Sequence, residues 1–363
     1  MKTRVRFYSP AAVALVGALA SLFAPNSSSG ASAGAEIVGW MPITCLGSSD
    51  TIVSAPLARP TVYVGSGTGS TVTAGVSGKI TFSGTPFTAS QFKYVSGTQS
   101  NTYYAFVASG TKEGDYFTIT DNDTNSVTVA LNGDTLSAVT SGTTVKIVPY
   151  WTLGTLFPNG DGVTATSGFA AATQILLPDT ASSGTNLAAA GIYVYSSSAA
   201  MWLKSGESGS ANDTILYPDN YFTVRNNTSA TTTITVNGAV VVTKLITALT
   251  TNASSKQDNF VSMMRPTTVT LNGSGLISSG AFSASSGFVA TDQLFVFDNT
   301  VAQLNKAASR IYTYSNGAWR RSGSSGDAGT DAVFTPGTGV IIRKAKNAAS
   351  TTSMWTSPST VTN

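Results

Sequence analysis

The sequence predicts an all-β protein built from two or more sandwich- or barrel-like domains. Short runs of β-branched and aromatic residues recur about every ten residues, separated by clusters of Gly, Asn, Asp and Ser. Hardly any window has the 3.6-residue apolar period of an amphipathic helix. Strands and turns that follow one another without helices are typical of β-sandwiches and β-barrels.

The strands expected from these runs follow one another from the first third of the chain to its end. In chain order they are Thr61–Val64, Lys79–Phe82, Tyr103–Val107, Tyr116–Thr120, Val127–Leu131, Val145–Val148, Ile192–Tyr195, Tyr221–Arg225, Thr233–Val236, Val240–Thr243, Thr268–Leu271, Gln293–Phe297, Ile311–Tyr314 and Val340–Arg343. Four Asn-Gly pairs predict tight turns, because both residues tolerate positive φ: Asn132-Gly133, Asn237-Gly238, Asn272-Gly273 and Asn316-Gly317. Residues 301–309 are the one stretch with helical character, and the glycine-rich Gly65 to Gly69 is expected to be a loop, because no helix follows it as in a phosphate-binding loop.

The composition excludes several kinds of chemistry. The 363 residues include 53 Thr and 48 Ser but only 10% charged residues, no His and one Cys. Histidine is the commonest general base and metal ligand, and a single cysteine rules out an internal disulfide or a Cys-rich zinc site. We read Cys45 as a packed side chain or a lone thiol.

The N-terminus predicts export. Lys2, Arg4 and Arg6 precede an apolar stretch at 11–23 that is too short to span a bilayer, and small residues with A-x-A motifs follow up to Ala35. We therefore expect a signal peptide at 1–35 and a secreted, extracellular or cell-envelope protein without a transmembrane anchor. Its removal leaves seventeen Lys and Arg against seventeen Asp and Glu. A mature chain of zero net charge gives no reason to expect nucleic-acid binding and favours self-association or contact with cell-surface polymers.

The rest of the chain divides at a polar turn after Pro158. We predict an N-terminal β-domain at 36–158 and a C-terminal β-region at 159–363. The C-terminal region contains an internal echo: the I-Y-x-Y-S run at 192–196 returns at 311–315, and a tryptophan, a Ser-Gly, an aspartate, a proline and an arginine follow each copy at matching distances. This pattern predicts a duplicated unit at about 159–240 and 275–350.

Three segments carry a resemblance to a known group of proteins. They are S-D-T-I-V-S-x-P at 49–56, P-Y-W-T-L with L-F-P at 149–158, and P-G-x-G-V-I-I-R-K at 336–344. The chain resembles a family of secreted proteins of unknown function from planctomycete- and verrucomicrobia-like bacteria. The resemblance spans nearly the whole mature chain and implies an exported β-rich protein; it brings no catalytic residues.

The candidate metal ligands are Asp121, Asp123 and Asn125, whose oxygens alternate as at the start of a calcium loop. The positions that should hold Gly and a bidentate Glu are Ser126 and Asn132, so a polar hairpin turn is the favoured interpretation. We expect the protein to have no cofactor; calcium is the one candidate that the sequence suggests.

The candidate ligand-stacking residues are Trp202 and Trp319. Aromatic faces on a sheet can stack on sugar rings, but aromatic residues at matching places in two copies favour core positions. Arg225 and Arg343 are expected at strand ends, each paired with a carboxylate of its own copy.

We therefore expect a secreted or cell-surface structural or adhesive β-protein without catalytic activity. The alternative is a carbohydrate-binding module that uses exposed Trp and Tyr. A hydrolase with an Asp pair is the third hypothesis, because spacing alone does not exclude two aspartates facing each other across a cleft.

Overall fold

The computed structural model describes residues 36–167, 171–286 and 291–359. The predicted signal peptide lies outside these residues. Regular structure within them is almost entirely β, which confirms the predicted fold class; helix is limited there to α1 (Leu153–Leu156) and two 3₁₀ turns, Pro158–Gly160 and Asn272–Ser274. None of these helices has the length and apolar character to cross a membrane. Residues 301–309 form an irregular loop.

Twenty-four strands are described. They are β1 (Val38–Cys45), β2 (Ser49–Val53), β3 (Tyr63–Thr73), β4 (Ser77–Phe82), β5 (Tyr103–Val107), β6 (Tyr116–Asn122), β7 (Ser126–Ala130), β8 (Thr143–Pro149), β9 (Trp151–Thr152), β10 (Thr173–Pro178), β11 (Ala189–Ser196), β12 (Met201–Lys204), β13 (Ile215–Leu216), β14 (Phe222–Asn226), β15 (Thr232–Ala239), β16 (Leu245–Thr250), β17 (Gln257–Ser262), β18 (Val269–Thr270), β19 (Gln293–Val296), β20 (Arg310–Ser315), β21 (Ala318–Arg321), β22 (Ala332–Phe334), β23 (Gly339–Lys344) and β24 (Thr352–Ser357).

Strands β3 to β8 form a closed antiparallel barrel in the order β3-β4-β7-β6-β5-β8. The glycine-rich segment at 65–69, which we expected to be a loop, is part of β3. A Cβ at Gly67 would lie 2.7 Å from Cγ2 of Ile80, and one at Gly69 would lie 2.6 Å from Cβ of Leu136. These glycines therefore let side chains of the barrel core pack directly against the strand backbone. Such close approach is one reason for a glycine inside a strand.

The remaining strands form two halves with the same strand order. The first half has the five-stranded sheet β12-β11-β10-β14-β2, and the second has β21-β20-β19-β23-β17. Each half adds two antiparallel ribbons, β1–β15 and β9–β13 in the first and β16–β24 and β18–β22 in the second. In the chain, the barrel stands between β2 and β9 of the first half. The region 36–158 is thus divided in space, because β1, β2 and β9 pair with strands that follow residue 158.

The matching strands of the two halves extend beyond the duplicated unit predicted from the sequence. The pairs β1 and β16, and β2 and β17, occupy the same places in the two halves although they precede 159–240 and 275–350. β2 reads S-D-T-I-V, and the first five residues of β17 read Q-D-N-F-V. Only the aspartate and valine are shared, so these short strands carry little signal for a sequence comparison.

Each half has its own apolar core, centred on a tryptophan. Trp202 is 0% exposed and packs on Phe157, with ring centroids 5.4 Å apart; Trp319 is 1% exposed and lies 4.9 Å from Phe282. Both tryptophans pair across a hairpin with the second tyrosine of the I-Y-x-Y-S run, Tyr195 or Tyr314. Both indoles are core residues, as their matching positions predicted.

The Asn-Gly pairs have different roles. Asn316 and Gly317 have φ of 49° and 73° and form the predicted two-residue turn between β20 and β21. Asn237-Gly238 instead lies inside β15, where a Cβ on Gly238 would meet the carbonyl oxygen of Ala58 at 2.1 Å. The residues 240–243 that follow, predicted as a strand, form an irregular connection between the halves.

Candidate functional site: the cleft between the halves

The two five-stranded sheets face each other across a cleft of about 660 Å³. Two ion pairs stand at matching positions of the two halves, and their arginines line the cleft. β14 pairs with β2 so that Arg225 stands opposite Asp50, and β23 pairs with β17 so that Arg343 stands opposite Asp258. Each arginine thus pairs with a carboxylate, as expected, but Asp50 and Asp258 lie outside the predicted copies at 159–240 and 275–350 and belong to the same halves only through strand pairing.

Each arginine holds its aspartate with two hydrogen bonds. Arg225 donates from Nε to Oδ1 and from Nη2 to Oδ2 of Asp50, both at 2.8 Å. Arg343 donates in the same way to Asp258, at 2.6 and 2.9 Å. Asp50 is 4% exposed and Asp258 is 2% exposed, so both are buried charges whose partners satisfy them. The hydrogen bond to Asp50 raises the pKa of Arg225 above its ordinary value.

A loop from the opposite half completes each pair. Asn305, in the β19–β20 loop, donates its backbone N–H to Oδ2 of Asp50 at 2.7 Å and accepts from Nη2 of Arg225 at 2.7 Å. Asn186, in the β10–β11 loop, does the same for Asp258 and Arg343, at 2.8 and 2.9 Å. Both asparagines have a left-handed backbone, with φ of 50° and 54°. The two sites are therefore equivalent and reciprocal, each half supplying a capping loop to the other.

The floor of the cleft is apolar. Ile52, Tyr221 and Phe260 are buried there and form one cluster with the half-buried Phe297 and Ile341. The rings of Tyr221 and Phe260 lie 5.8 Å apart, nearly perpendicular. Burial raises the pKa of Tyr221, so its hydroxyl stays protonated at neutral pH. The cleft can thus pack an apolar or ring-shaped body between two fixed charge pairs.

A second groove, of about 650 Å³, lies between the barrel and both halves. Tyr116 donates to Oδ1 of Asp219 at 2.8 Å in this groove, and burial raises the pKa of both side chains. Tyr217, which is 45% exposed, stands beside them and meets Tyr150 at 5.6 Å. An exposed tyrosine ring beside a carboxylate is an arrangement that can bind a sugar.

The candidate metal ligands lie on the hairpin that joins β6 to β7. Asp121 forms an ion pair with Lys93 at 2.9 Å, and Asp123 forms one with Lys79 at 2.6 Å. Asn125 uses its backbone carbonyl to accept from Phe82. The lysines lower the pKa of both aspartates. No group of three or more potential metal ligands occurs among the described residues, so these three residues gain no support as a calcium site.

The candidate stacking residues Trp202 and Trp319 present no ring face to solvent. Stacking of a ligand on either indole would require the core to open. The tryptophan that is exposed is Trp40, at 67%, on the outer face of β1. Its signal in the sequence was the alternation of β1, V-G-W-M-P-I-T-C, in which Val38, Trp40 and Pro42 fall on one face.

Comparison with known proteins adds no relative. No protein-family model, no curated protein and no solved structure matches the chain. The resemblance to secreted proteins of planctomycete- and verrucomicrobia-like bacteria stays a prediction.

Proposed function

We propose that the protein is an exported, non-catalytic β-protein that takes part in a cell-surface or extracellular assembly. The observation that carries this proposal is the outer face of the β1–β15 ribbon. Val38 is 69% exposed and Trp40 is 67% exposed on this face, and Ile37, at 60%, precedes them. Exposed apolar side chains that lie together mark interaction sites.

The partner that we propose for the ribbon is the same ribbon of a second copy. Within the described residues, β1 pairs with β15 and no other strand pairs with the outer edge of either one; Ala58 bridges that edge of β15 at its last residue, Ala239. Open edges without inward lysines offer backbone groups to another chain. The predicted mature chain has no net charge, so little long-range repulsion opposes contact between copies.

The test is the association state of residues 36–363, measured by sedimentation at low salt and at about 1 M salt. We expect oligomers in both conditions, because apolar contact and backbone pairing are not screened. Each large apolar side chain buried in a contact contributes about 1.5–3 kcal/mol, so Trp40→Ser should weaken association by about tenfold or more. Val72→Ser, at a similarly exposed valine of the barrel (60%), is the matched control and should change nothing. A monomer in both conditions would refute the proposal.

We propose duplication as the origin of the two halves. The equal strand order, the matching tryptophans and the equivalent Arg–Asp pairs support a common ancestor, with the barrel inserted between β2 and β9 of the first copy.

The alternative function is carbohydrate binding, and the groove beside Tyr217 favours it. Calorimetry with neutral oligosaccharides tests it: binding should fall when Tyr217 is changed to Ala and should survive Tyr94→Ala, at another exposed tyrosine. A hydrolase with an Asp pair is the third proposal. It has the least support, because an arginine already occupies both oxygens of Asp50 and of Asp258.

A further inference from the structure

We propose that the cleft between the halves binds a ligand that carries carboxylates on a ring-shaped or apolar body. This inference goes beyond the structural role proposed above and does not depend on it. It rests on unused hydrogen-bond donors, on the walls that surround them and on the size of the space.

The unused donors belong to the two arginines. Nε and Nη2 of Arg225 and of Arg343 are taken by aspartate and asparagine oxygens, whereas Nη1 of each has no acceptor within the described part of the chain. Both side chains line the cleft and keep partial exposure, 25% and 17%. Each Nη1 therefore has two N–H donors free for solvent or a ligand.

A guanidinium selects an acceptor that is flat and negative. Its N–H groups match the geometry of a carboxylate, and hydrogen bonds between charged groups are stronger than neutral ones. The charged side chains that line the cleft are Asp50, Arg225, Arg343 and Lys306, and Asp258 pairs with Arg343 outside this lining. The aspartate oxygens accept from the arginines and the capping asparagines, and Nζ of Lys306 donates to the carbonyls of Asp298 and Val301. Lys306 keeps one of its three N–H donors and Nη1 of each arginine keeps two, and these spare donors favour an anionic ligand over a cationic one.

The walls specify the body of the ligand. Arg343 lies over the ring of Phe295, 4.6 Å from its centroid, and this contact fixes the guanidinium in place. Phe295 and Phe297 stay half-buried on one wall, and Leu176 faces them from the other. A volume of about 660 Å³ lies within the range of small-molecule sites, about 300–1,000 Å³. Rings or methylene groups bearing carboxylates fit such a surface, and acidic oligosaccharides and aliphatic diacids share this chemistry.

The experiment uses three probes with residues 36–363: a tetramer of galacturonic acid, the neutral tetramer maltotetraose, and adipate. Calorimetry should show binding of one or both acidic probes and none of the neutral tetramer. The tetramer and adipate arms separate an acidic glycan from a small diacid. Because charge drives the contact, affinity should fall as salt rises.

Two kinds of variant locate the binding. Thr223→Trp fills the cleft from β14 without replacing a residue of either ion pair, and it should weaken binding at least tenfold. Thr81→Trp, at an exposed threonine of the barrel, is the matched control and should bind as the parent does. Arg225→Lys and Arg343→Lys keep a cation beside each aspartate but lack Nη1, so each should also weaken binding about tenfold. If Thr223→Trp does not fold, Arg225→Lys and Arg343→Lys test whether the ligand binds in the cleft.

Two results would overturn the proposal. One is that neither acidic probe binds more tightly than the neutral tetramer. The other is that an acidic probe binds but keeps its affinity in the folded cleft variants, which would place its site elsewhere. Neither result bears on association through the β1–β15 ribbon, so the two proposals fail separately.

Discussion

Two buried tryptophans differ in whether their indole N–H is satisfied, and this difference predicts unequal costs for one substitution. Trp202 and Trp355 are 0% and 1% exposed. Nε1 of Trp355 donates to the carbonyl oxygen of Ser274 at 2.8 Å. Nε1 of Trp202 is buried and has no acceptor among the described residues.

Replacing each tryptophan by phenylalanine removes the same atoms from two closed cores, so the lost packing is similar. The polar contributions are opposite. A buried, unsatisfied N–H costs about 1–3 kcal/mol, which Trp202→Phe recovers, whereas a buried hydrogen bond contributes about 0.5–1.5 kcal/mol, which Trp355→Phe loses. We therefore expect Trp355→Phe to lower the free energy of unfolding by about 1.5–4.5 kcal/mol more than Trp202→Phe does.

The assay is urea unfolding of residues 36–363, followed by circular dichroism because the substitutions change the fluorescence. Trp202→Ala serves as the reference for burial and should cost about 3–5 kcal/mol. Equal costs for the two phenylalanine variants, or a greater cost at Trp202, would refute the reasoning. Retention of the parent stability by Trp202→Ala would show that the indole is not a core residue.

Three further predictions concern the Cys45 thiol, the Asp219 carboxyl group and the N-terminus of the exported protein. Burial raises the pKa of the Cys45 thiol to about 12, so a thiol reagent at pH 8 should label the protein only after denaturation; rapid labelling of the folded protein would contradict this burial. Burial raises the pKa of Asp219 above 3.8, so the stability that its protonated form provides is lost as pH rises through the folded pKa; Asp219→Asn should raise the melting temperature at pH 7 and lose this advantage below about pH 3.8. Sequencing of exported protein should find a new N-terminus between Ser32 and Glu36, and an intact Met1 would exclude cleavage.

The periodicity of the sequence was sufficient to predict the fold class, and the internal echo was sufficient to predict that Trp202 and Trp319 are buried. Alternating β-branched residues and the matching I-Y-x-Y-S hairpins are local signals, and hairpin partners lie close in sequence. The barrel was harder to predict, because its closure pairs β3 with β8, about 80 residues apart. The glycines at 65–69 were misread for the same reason: the side chains that require them, Ile80 and Leu136, come from other parts of the chain.

The cleft could not be predicted, because its ion pairs join distant segments. Asp50 lies 175 residues from Arg225. An aspartate inside a short strand was the available signal, since a charge at such a position needs a partner when it is buried. The partner's identity depends on register, which the sequence alone does not fix across an inserted barrel.

The two halves also depend on each other for their sheet edges. β2 is an edge strand of the first sheet, and the β19–β20 loop covers it: Asp50 N–H donates to Gln303, and the side chain of Asn299 exchanges two hydrogen bonds with Ile52. The β10–β11 loop covers β17 in turn, where Asp258 N–H donates to Gly184. An isolated half would expose this backbone edge and lose the asparagine that completes its Arg–Asp pair, so both edge pairing and a buried charge would be left unsatisfied. Each half thus needs the other to protect its edge strand, and the cleft exists only while the two stay docked.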